Sequence, residues 1–213
     1  MSNTINVMLV DDHAVVRAGY NMLLKNAPEI TVVAEASSGE EAYQLYSANM
    51  PDVVVMDLSL PGIGGIEVIK RICSRDNKAT ILVFSMHEEV IFVEQALQAG
   101  ARGYITKSTD PQLLVEAIIR LSKGEKYIDA ELAQRLAYEN SRGQDSLLSD
   151  LSTREFEIFC MLAEGSNTSE IAKRLCLSYK TVANYSTQIK SKLNVTTIAD
   201  IARLAIRHNI IQA

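Results

Sequence analysis

Three aspartates, one serine and one lysine share a position along the chain: each ends or directly follows a short apolar run. Asp11 and Asp12 follow the run VMLV, and Asp57 follows the run VVVM. Ser85 and Lys107 close two later runs, ILVFS and GYITK. Apolar runs without polar alternation are typical of strands buried on both faces of a parallel sheet. Such sheets bind ligands at the carboxyl ends of their strands, so we expect these five side chains to meet at one edge.

The chemistry that fits this set is phosphoryl transfer to a carboxylate. Crowded carboxylates raise one another's pKa unless a cation neutralises them, and an all-oxygen cluster suits Mg²⁺. Mg²⁺ and the lysine would stabilise the transferred oxygens while Asp57 forms an aspartyl-phosphate, and Ser85 adds a hydroxyl beside the acids. Singly, Asp12 is a plausible helix cap, Ser85 a loop residue and Lys107 a solvated cation. The ordered constellation favours the functional interpretation.

The elements that must position these residues follow from the alternation of patterns. Five apolar runs, each followed by an amphipathic helical pattern, predict an α/β domain. Its five-stranded, doubly wound parallel sheet carries helices on both faces. The runs cover residues 7–10, 31–34, 53–56, 81–84 and 103–105. The last helix of this domain should run from about Asp110, with Pro111 at its first position, to Ser122.

The C-terminal part of the chain changes to a purely helical pattern. Ser152 begins a capping box with Glu155 three residues on, and a helix should follow up to Gly165. Three more helices are predicted over 168–175, 178–193 and 197–208. Four helices with a two-residue break at 176–177 predict a helix-turn-helix module.

The predicted organisation is a first domain at 1–124, a linker at 125–150 and a second domain at 151–213. The linker should contain a helix at 129–140 and a polar, flexible link at 141–149. Residues 1–150 carry 13 Lys/Arg against 21 Asp/Glu, whereas residues 151–213 carry 8 against 5. The short basic part, unlike the acidic one, is therefore the candidate for contact with a polyanion.

Several classes of protein are disfavoured by composition. The 213-residue chain has no apolar run of the ~18–20 residues that cross a bilayer and no signal-peptide pattern at its start, so we expect a cytoplasmic protein with no membrane partner. Its three cysteines, at 73, 160 and 176, are odd in number and far apart, so we expect buried thiols rather than disulfides or a metal site. The three histidines, at 13, 87 and 208, lie on different elements, which also argues against a metal site.

The segments "LVDDH", "VVVMDLSLPGIGG", "FSMH" and "GARGYITKS" together resemble the receiver domain of two-component response regulators, with its flavodoxin-like fold. The resemblance covers about residues 5–124. It implies that Asp57 is the phosphoacceptor. It also implies that Asp12, Asp57 and the backbone carbonyl of Ser59 bind Mg²⁺, assisted by Asp11.

Three further roles in the receiver come from the same resemblance. Ser85 and Lys107 would contact the phosphoryl group, and Tyr104 matches the aromatic whose rotamer follows the shift of Ser85. Ser108 departs from the family pattern, since many receivers follow the lysine with a proline in a cis peptide. A non-proline cis bond costs ~3 kcal/mol, so the geometry of the peptide after Lys107 stays open.

The segment "LSTREFEIFCMLAEGSNTSEIAKRLCLSYKTVANYSTQIKSKLNV" resembles the output domain of NarL/FixJ (LuxR-type) regulators. Val182, Ile189 and Leu193 form the inward stripe of its recognition helix. Residues placed to meet base edges or phosphates lie on the other faces of this helix. They are Lys180, Thr181, Ala183, Asn184, Thr187, Lys190 and Lys192.

Tyr185 and "LAIRH" resemble the GacA/UvrY-like branch of this family. The family implies a phosphorylation-switched DNA-binding transcription factor rather than an enzyme. Its partners would be a sensor histidine kinase, double-stranded promoter DNA, a second copy of the chain when phosphorylated, and RNA polymerase. In the unphosphorylated chain we expect the acidic domain to fold back over the basic recognition helix.

Two rival functions need different sequence features. An aspartate-nucleophile phosphatase usually needs a second aspartate two residues after the first, and Ser59 stands there. A receiver that acts only as a phosphorylation-independent interaction module would not need an intact set of Asp12, Asp57, Ser85 and Lys107.

Overall fold

A six-stranded parallel sheet forms the centre of the N-terminal domain. The computed structural model describes residues 4–141, 148 and 150–211. The strands are ordered β2-β1-β3-β4-β5-β6 across the sheet, and every neighbouring pair is parallel. Their bounds are β1 Ile5–Val10, β2 Ile30–Ala36, β3 Val53–Met56, β4 Ile81–Ser85, β5 Gly103–Thr106 and β6 Tyr127–Ile128.

Five helices cover the two faces of this sheet, as predicted for a doubly wound fold. They are α1 Ala14–Lys25, α2 Gly39–Asn49, α3 Gly65–Arg75, α4 Val90–Ala99 and α5 Pro111–Ser122. The core on one face includes residues of α1 and α5, and the core on the other includes residues of α2, α3 and α4. Strand β3 contributes Val53 and Val55 to one core and Val54 and Met56 to the other. Its unbroken apolar run thus reflects burial on both sides.

The sixth strand adds to the five that the sequence predicts. Tyr127 and Ile128 pair with Gly103 and Tyr104 at the sheet edge. Two residues are too few to show an alternating pattern, so this strand forms because the edge of β5 offers backbone partners. The described part of the chain contains no cis peptide bond, so the peptide after Lys107 is trans.

The predicted linker contains a helix, as expected from its pattern. Helix α6 spans Ala130–Ser141, and Leu132 on it is buried. The predicted polar link at 141–149 lies outside the described residues except for positions 141 and 148. Leu148 is fully buried, so the chain is again packed before the second domain begins.

The second domain contains four helices in the described residues. They are α7 Thr153–Ala163, α8 Thr168–Arg174, α9 Tyr179–Lys192 and α10 Ile198–Arg207. The predicted capping box of Ser152 and Glu155 at the start of α7 is confirmed. Gly165, Cys176 and Asn209 adopt positive φ angles just beyond α7, α8 and α10. These left-handed residues end the helices where the sequence predicts breaks.

The two domains share a continuous hydrophobic core. Phe156 of α7 packs against Phe92 of α4, and both residues belong to the cluster on the α3–α4 face of the sheet. The side-chain amide of Gln95 also donates a hydrogen bond of 3.4 Å to the carbonyl of Leu151. The second domain is therefore docked on the first. No described helix is long and apolar enough to cross a bilayer.

Candidate functional site

The predicted carboxylates meet at the carboxyl edge of the sheet. Strands β1 and β3 are hydrogen-bonded neighbours, with Val10 opposite Met56, so the acids that follow them are brought together. Asp11 is 5% exposed and Asp57 3% exposed. One potential ligand atom each from Asp11, Asp12, His13 and Asp57 lie within 4.8 Å of one another. Carboxylate oxygens at this spacing suit a hard cation such as Mg²⁺.

Lys107 bridges the two buried carboxylates. Its Nζ lies 2.7 Å from Asp11 Oδ2 and 2.6 Å from Asp57 Oδ2, and its side chain is only 8% exposed. Burial lowers the pKa of Lys107, but its hydrogen bonds to the two carboxylates more than reverse this effect and raise the pKa overall. The lysine therefore stays charged and offsets the repulsion between the acids.

Ser85 and Tyr104 lie behind the acids on neighbouring strands, and both are fully buried. The Tyr104 hydroxyl donates to the backbone carbonyl of His87 at 2.8 Å, while Ser85 Oγ accepts from the His87 amide at 3.4 Å. Desolvation raises the pKa of Tyr104, so its phenol stays a donor. A serine and a tyrosine thus hold the same residue, His87, beside the carboxylate edge of the sheet.

Ser59 lies at the rim of the site. Its backbone amide donates to Asp57 Oδ1 at 3.3 Å, and its hydroxyl is 3.2 Å from His87 Nε2. Burial lowers the pKa of His87, which favours a neutral imidazole.

The structure places two histidines at this edge that the sequence pattern did not assign to it. His13 Nδ1 lies 2.8 Å from Asp12 Oδ1 and 3.5 Å from Asp11 Oδ1, so it joins the acidic cluster rather than lying apart from it. The sequence feature that places His13 in the cluster is its position next to Asp12 at a strand end. His87 follows Ser85 by two residues, which places it at the same edge.

The recognition helix α9 has the two faces that the sequence predicts. Val182, Ile189 and Leu193 are buried, which confirms the inward stripe. Lys180, Asn184 and Thr187 are exposed, and the remaining contact candidates Thr181, Ala183 and Lys190 are partly exposed. Thr181 also shares the N-cap of α9, since its hydroxyl lies 2.7 Å from Ser178 Oγ.

Lys192 is placed differently from the other predicted DNA contacts. Its Nζ lies 2.7 Å from Glu155 Oε2 and 3.2 Å from the carbonyl of Asp150. Burial raises the pKa of Glu155, but hydrogen bonds from Lys192 and Ser152 lower it below its ordinary value overall. Lys192 thus stays a predicted contact that differs from the others, because its ammonium already balances a carboxylate that is only 5% exposed.

The expectation that the acidic domain covers the recognition helix is wrong for this conformation. The exposed side chains of α9 include Lys180 and Asn184, which face solvent. The receiver-side contacts are instead made by α7, whose Phe156 meets Phe92. This contact is aromatic and does not involve the opposite net charges of the two domains.

The expectation of three buried thiols is also wrong in part. Cys176, in the break between α8 and α9, is exposed, whereas Cys73 and Cys160 are half-buried. Burial raises the thiol pKa of both Cys73 and Cys160. The apolar helical pattern did not distinguish a helix interior from the left-handed residue at its end.

Comparison with known families decides the identity of both domains. Residues 7–119 match the family model described as the response regulator receiver domain, and residues 149–205 match that of bacterial regulatory proteins of the luxR family. The chain is a LuxR-type response regulator. It is accordingly a DNA-binding transcription regulator of a two-component system and not an enzyme.

Relatives of this response regulator align along nearly its whole length. It is 41% identical to the transcriptional activator protein ExaE of Pseudomonas putida, over 98% of this chain and 99% of that protein. It is 40% identical to the response regulator UvrY of Escherichia coli K12 and 37% identical to GacA of Pseudomonas aeruginosa. These alignments cover 98% of this chain and 97% and 99% of the two relatives. The similarity predicted to the GacA/UvrY-like branch is confirmed.

Solved structures include a relative bound to DNA. RcsB from Salmonella enterica serovar Typhimurium, bound to promoter rprA with phosphomimetic BeF₃⁻, is 28% identical to this response regulator, with a TM-score of 0.71. The match covers 95% of this chain and 98% of that one. A LuxR-family response regulator from Aurantimonas is 47% identical over 65% of this chain and 99% of its own, with a TM-score of 0.63.

Proposed function

We propose that Asp57 accepts a phosphoryl group from a sensor histidine kinase or a small donor such as acetyl phosphate. This modification would control dimerisation and promoter binding. The observation that carries the proposal is the convergence of Asp57, Asp11 and Lys107 at one buried edge, joined by contacts of 2.6 and 2.7 Å. A buried carboxylate that contacts a lysine at this edge is placed to act as a nucleophile.

The transfer needs one free carboxylate oxygen on Asp57. Lys107 engages Oδ2 closely, while Oδ1 receives only the long 3.3 Å hydrogen bond from the Ser59 amide. Oδ1 is thus the freer oxygen to form the bond to phosphorus, as the bond from phosphorus to the donor's leaving group breaks. The leaving group departs with that electron pair, as acetate or as an imidazole that takes up a proton from solvent. Lys107 then contacts the phosphoryl oxygens as a point charge.

Mg²⁺ is the cofactor that the acid cluster fits. Asp11, Asp12, Asp57 and the backbone carbonyl of Ser59 would hold it, and the spacing of the carboxylates supports this assignment. Bound there, the ion supplies positive charge that stabilises the transferred oxygens. His13 orients the Asp12 carboxylate through its contact of 2.8 Å.

Ser85 and Tyr104 would report the phosphorylation state. Ser85 would contact the phosphoryl group, and Tyr104 would follow its shift. Both contact His87, so a movement of either changes the support of that residue.

The output domain would contact promoter DNA through α9. Lys180, Thr181, Lys190 and Lys192 would meet phosphates, and Lys180, Ala183, Asn184 and Thr187 would meet base edges. A phosphorylated homodimer would pair through α10, on which Ile198 and Ile206 are exposed.

The remaining partner, the cellular compartment and the bounds of the functional units are part of the same proposal. RNA polymerase is the further partner, and the cytoplasm is where chromosomal DNA and the kinase's catalytic part are both accessible. The functional units are the receiver at 1–124, the linker at 125–150 and the DNA-binding domain at 151–213.

The test is phosphorylation of the full chain by acetyl phosphate, followed by intact mass spectrometry. The wild type should gain an acid-labile phosphoryl mass only when Mg²⁺ is present, and Asp57→Asn should gain none. Asp52→Asn is the matched control, since Asp52 lies at the start of β3, exposed, with its carboxylate bound to the Asn6 amide. A mass gain of wild-type size in Asp57→Asn would place the acceptor elsewhere.

A second measurement connects this chemistry to transcription. Genome-wide DNA occupancy in wild-type and Asp57→Ala strains should differ, with fewer occupied promoters in the variant. Coinciding profiles would refute control by phosphorylation.

A further inference from the structure

A cavity of about 150 Å³ lies between the receiver and the output domain. Its wall includes His87 and Phe92 from the receiver, and Phe156, Cys160 and Met161 from the output domain. An apolar cavity of about this volume can hold one benzene-sized ring. The space is therefore large enough for a small organic molecule that touches both domains.

One face of α7 forms the output side of this cavity. Its lining residues recur at spacings of three and four, so they lie above one another on the helix. They are Thr153, Phe156, Glu157, Cys160, Met161 and Glu164. Glu157 and Glu164 are two helical turns apart, about 10.5 Å along the axis, with Cys160 and Met161 between them. This wall is thus an apolar surface with a carboxylate on either side.

Carboxylates outnumber cations at the cavity. Among the described residues that line it, Glu67, Glu157 and Glu164 are acidic, and Arg174 alone carries a permanent positive charge. Glu67 and Glu157 each have an arginine partner. Glu164 is exposed and makes no ion pair with the residues that the structure describes. Glu164 is therefore the acid that a bound cation could pair with.

The negative charge extends around the Cys160 thiol. Burial raises the pKa of this thiol, and the charges of Glu164, Glu157 and Glu89 raise it further. Glu89 Oε2 is buried and accepts no hydrogen bond from the described part of the chain. It lies 4.0 Å from His87 Nδ1, and burial lowers the pKa of that imidazole. The neutral ring leaves the Glu89 charge unbalanced, so apolar walls and negative charge occur together here.

We propose that this cavity binds a small organic cation, an amine that carries one compact apolar body such as an aromatic ring. The ring would pack against Phe92 and Phe156, and the ammonium would donate a charge-assisted hydrogen bond to Glu164. The faces of aromatic side chains also attract a nearby cation. A carboxylate ligand of the same shape would be repelled by the acids of the wall.

Binding at this position would give the chain a second input besides the chemistry at Asp57. A ligand that touches both domains binds them in their docked arrangement and not when they are apart. It therefore stabilises the docked arrangement increasingly as its concentration rises. The chain would in this way respond to a diffusible amine without any change at the carboxylate edge of the sheet.

The test is isothermal titration calorimetry of the full chain with phenethylamine as the probe. Phenethyl alcohol and hydrocinnamate have nearly the same shape and are neutral and anionic. Phenethylamine should bind at least about tenfold more tightly than either, the factor typical of one hydrogen bond to a charged group. Equal binding of the alcohol would refute selection by charge. Absence of phenethylamine binding at millimolar concentration would refute the site.

Glu164→Gln locates the ammonium, because the amide keeps the shape of the side chain and removes its charge. It should weaken phenethylamine binding by about threefold, as expected for an exposed charge pair. Glu131→Gln, on the exposed first turn of α6 and outside the cavity lining, is the matched control and should bind as the wild type does. An unchanged affinity in Glu164→Gln would place the amine elsewhere and overturn the proposal.

Cys160→Leu locates the ring, because the larger side chain fills the cavity from α7. It should abolish phenethylamine binding, and retained binding would refute the cavity as the site. A melting curve followed by circular dichroism shows whether this variant folds, and if it does not, Glu164→Gln decides. None of these measurements uses phosphorylation, so their failure would leave the assignment of Asp57 unaffected.

Discussion

The carboxylate edge of the sheet and the recognition helix hold their candidate functional side chains in opposite ways. At the edge, Asp57 and Asp11 are buried and bound to Lys107 before any ligand arrives. On α9, Lys180 and Asn184 project into solvent. The carboxylate edge is preorganised by contacts between opposite charges. The exposed side chains of α9 are instead available to be ordered by DNA. Changes at the edge should therefore alter the stability of the unliganded chain, and changes on α9 should alter DNA binding alone.

Lys107→Ala should have the largest effect on stability of the variants considered. Removing the ammonium leaves two buried carboxylates without their counter-charge, so the receiver should lose about 3 kcal/mol of its free energy of unfolding in EDTA. Millimolar Mg²⁺ should restore a larger share of stability to the variant than it adds to the wild type, because the cation replaces the lost charge. Urea unfolding followed by circular dichroism measures both effects.

Lys123→Ala is the control for that experiment, since Lys123 is the exposed C-cap residue of α5. It should leave the unfolding curve within about 0.5 kcal/mol of the wild type in either buffer. A Lys107→Ala chain as stable as this control in EDTA would mean that the acids are already neutralised by protons.

Lys192→Ala should lower the stability of the chain, as changes at the carboxylate edge do, although Lys192 lies at the end of α9. Its loss unpairs the buried Glu155, and since the lysine side chain is 42% exposed we expect a moderate loss of about 1–2 kcal/mol. The melting temperature should fall, whereas Lys190→Ala, the matched control two residues earlier, should not change it.

The pH dependence of this loss follows from the depressed pKa of Glu155. A carboxylate whose folded pKa lies below its ordinary value of 4.5 contributes stability above that pH, and the contribution disappears as pH falls through the folded pKa. The melting difference between wild type and Lys192→Ala should thus be constant near neutrality and shrink below pH 4.5. A difference that persists in acid would assign the effect to packing.

Lys180→Ala should cause the smallest change of the three lysine variants. It should leave the melting temperature unchanged. It should weaken binding to every DNA sequence and reduce the slope of log K against log salt by about 1, because one phosphate contact is lost. Asn184→Ala, four residues along the same face, should change which base pairs are preferred and leave the slope intact. Equal changes of slope in both variants would contradict this division of roles.

The sequence predicts the convergence of the carboxylates and the lysine well, because the carboxyl ends of parallel strands lie at the same edge of the sheet. Asp57 and Lys107 are 50 residues apart, yet the alternation of strands and helices brings them to 2.6 Å. The inward stripe of α9 follows in the same way from helical spacing. Both inferences depend on local periodicity, which the amino-acid order records directly.

Contacts set by tertiary packing were not predictable. The pairing of Lys192 with Glu155 joins residues 37 positions apart on two helices whose relative placement no periodic pattern encodes. The contact of Phe156 on α7 with Phe92 on α4 is likewise a product of tertiary packing, whereas the charge asymmetry favoured a contact through α9. Strand β6 is too short to carry a pattern and exists only because β5 offers it an edge.

The shortness of the connection between α6 and the buried Leu148 has an energetic consequence. Six residues separate Ser141 from Leu148, and this length of chain spans at most about 25 Å. An undocked output domain therefore meets its receiver at an effective concentration of about millimolar or above. Re-docking is a unimolecular event, so contacts too weak to associate two separate molecules can keep the domains together.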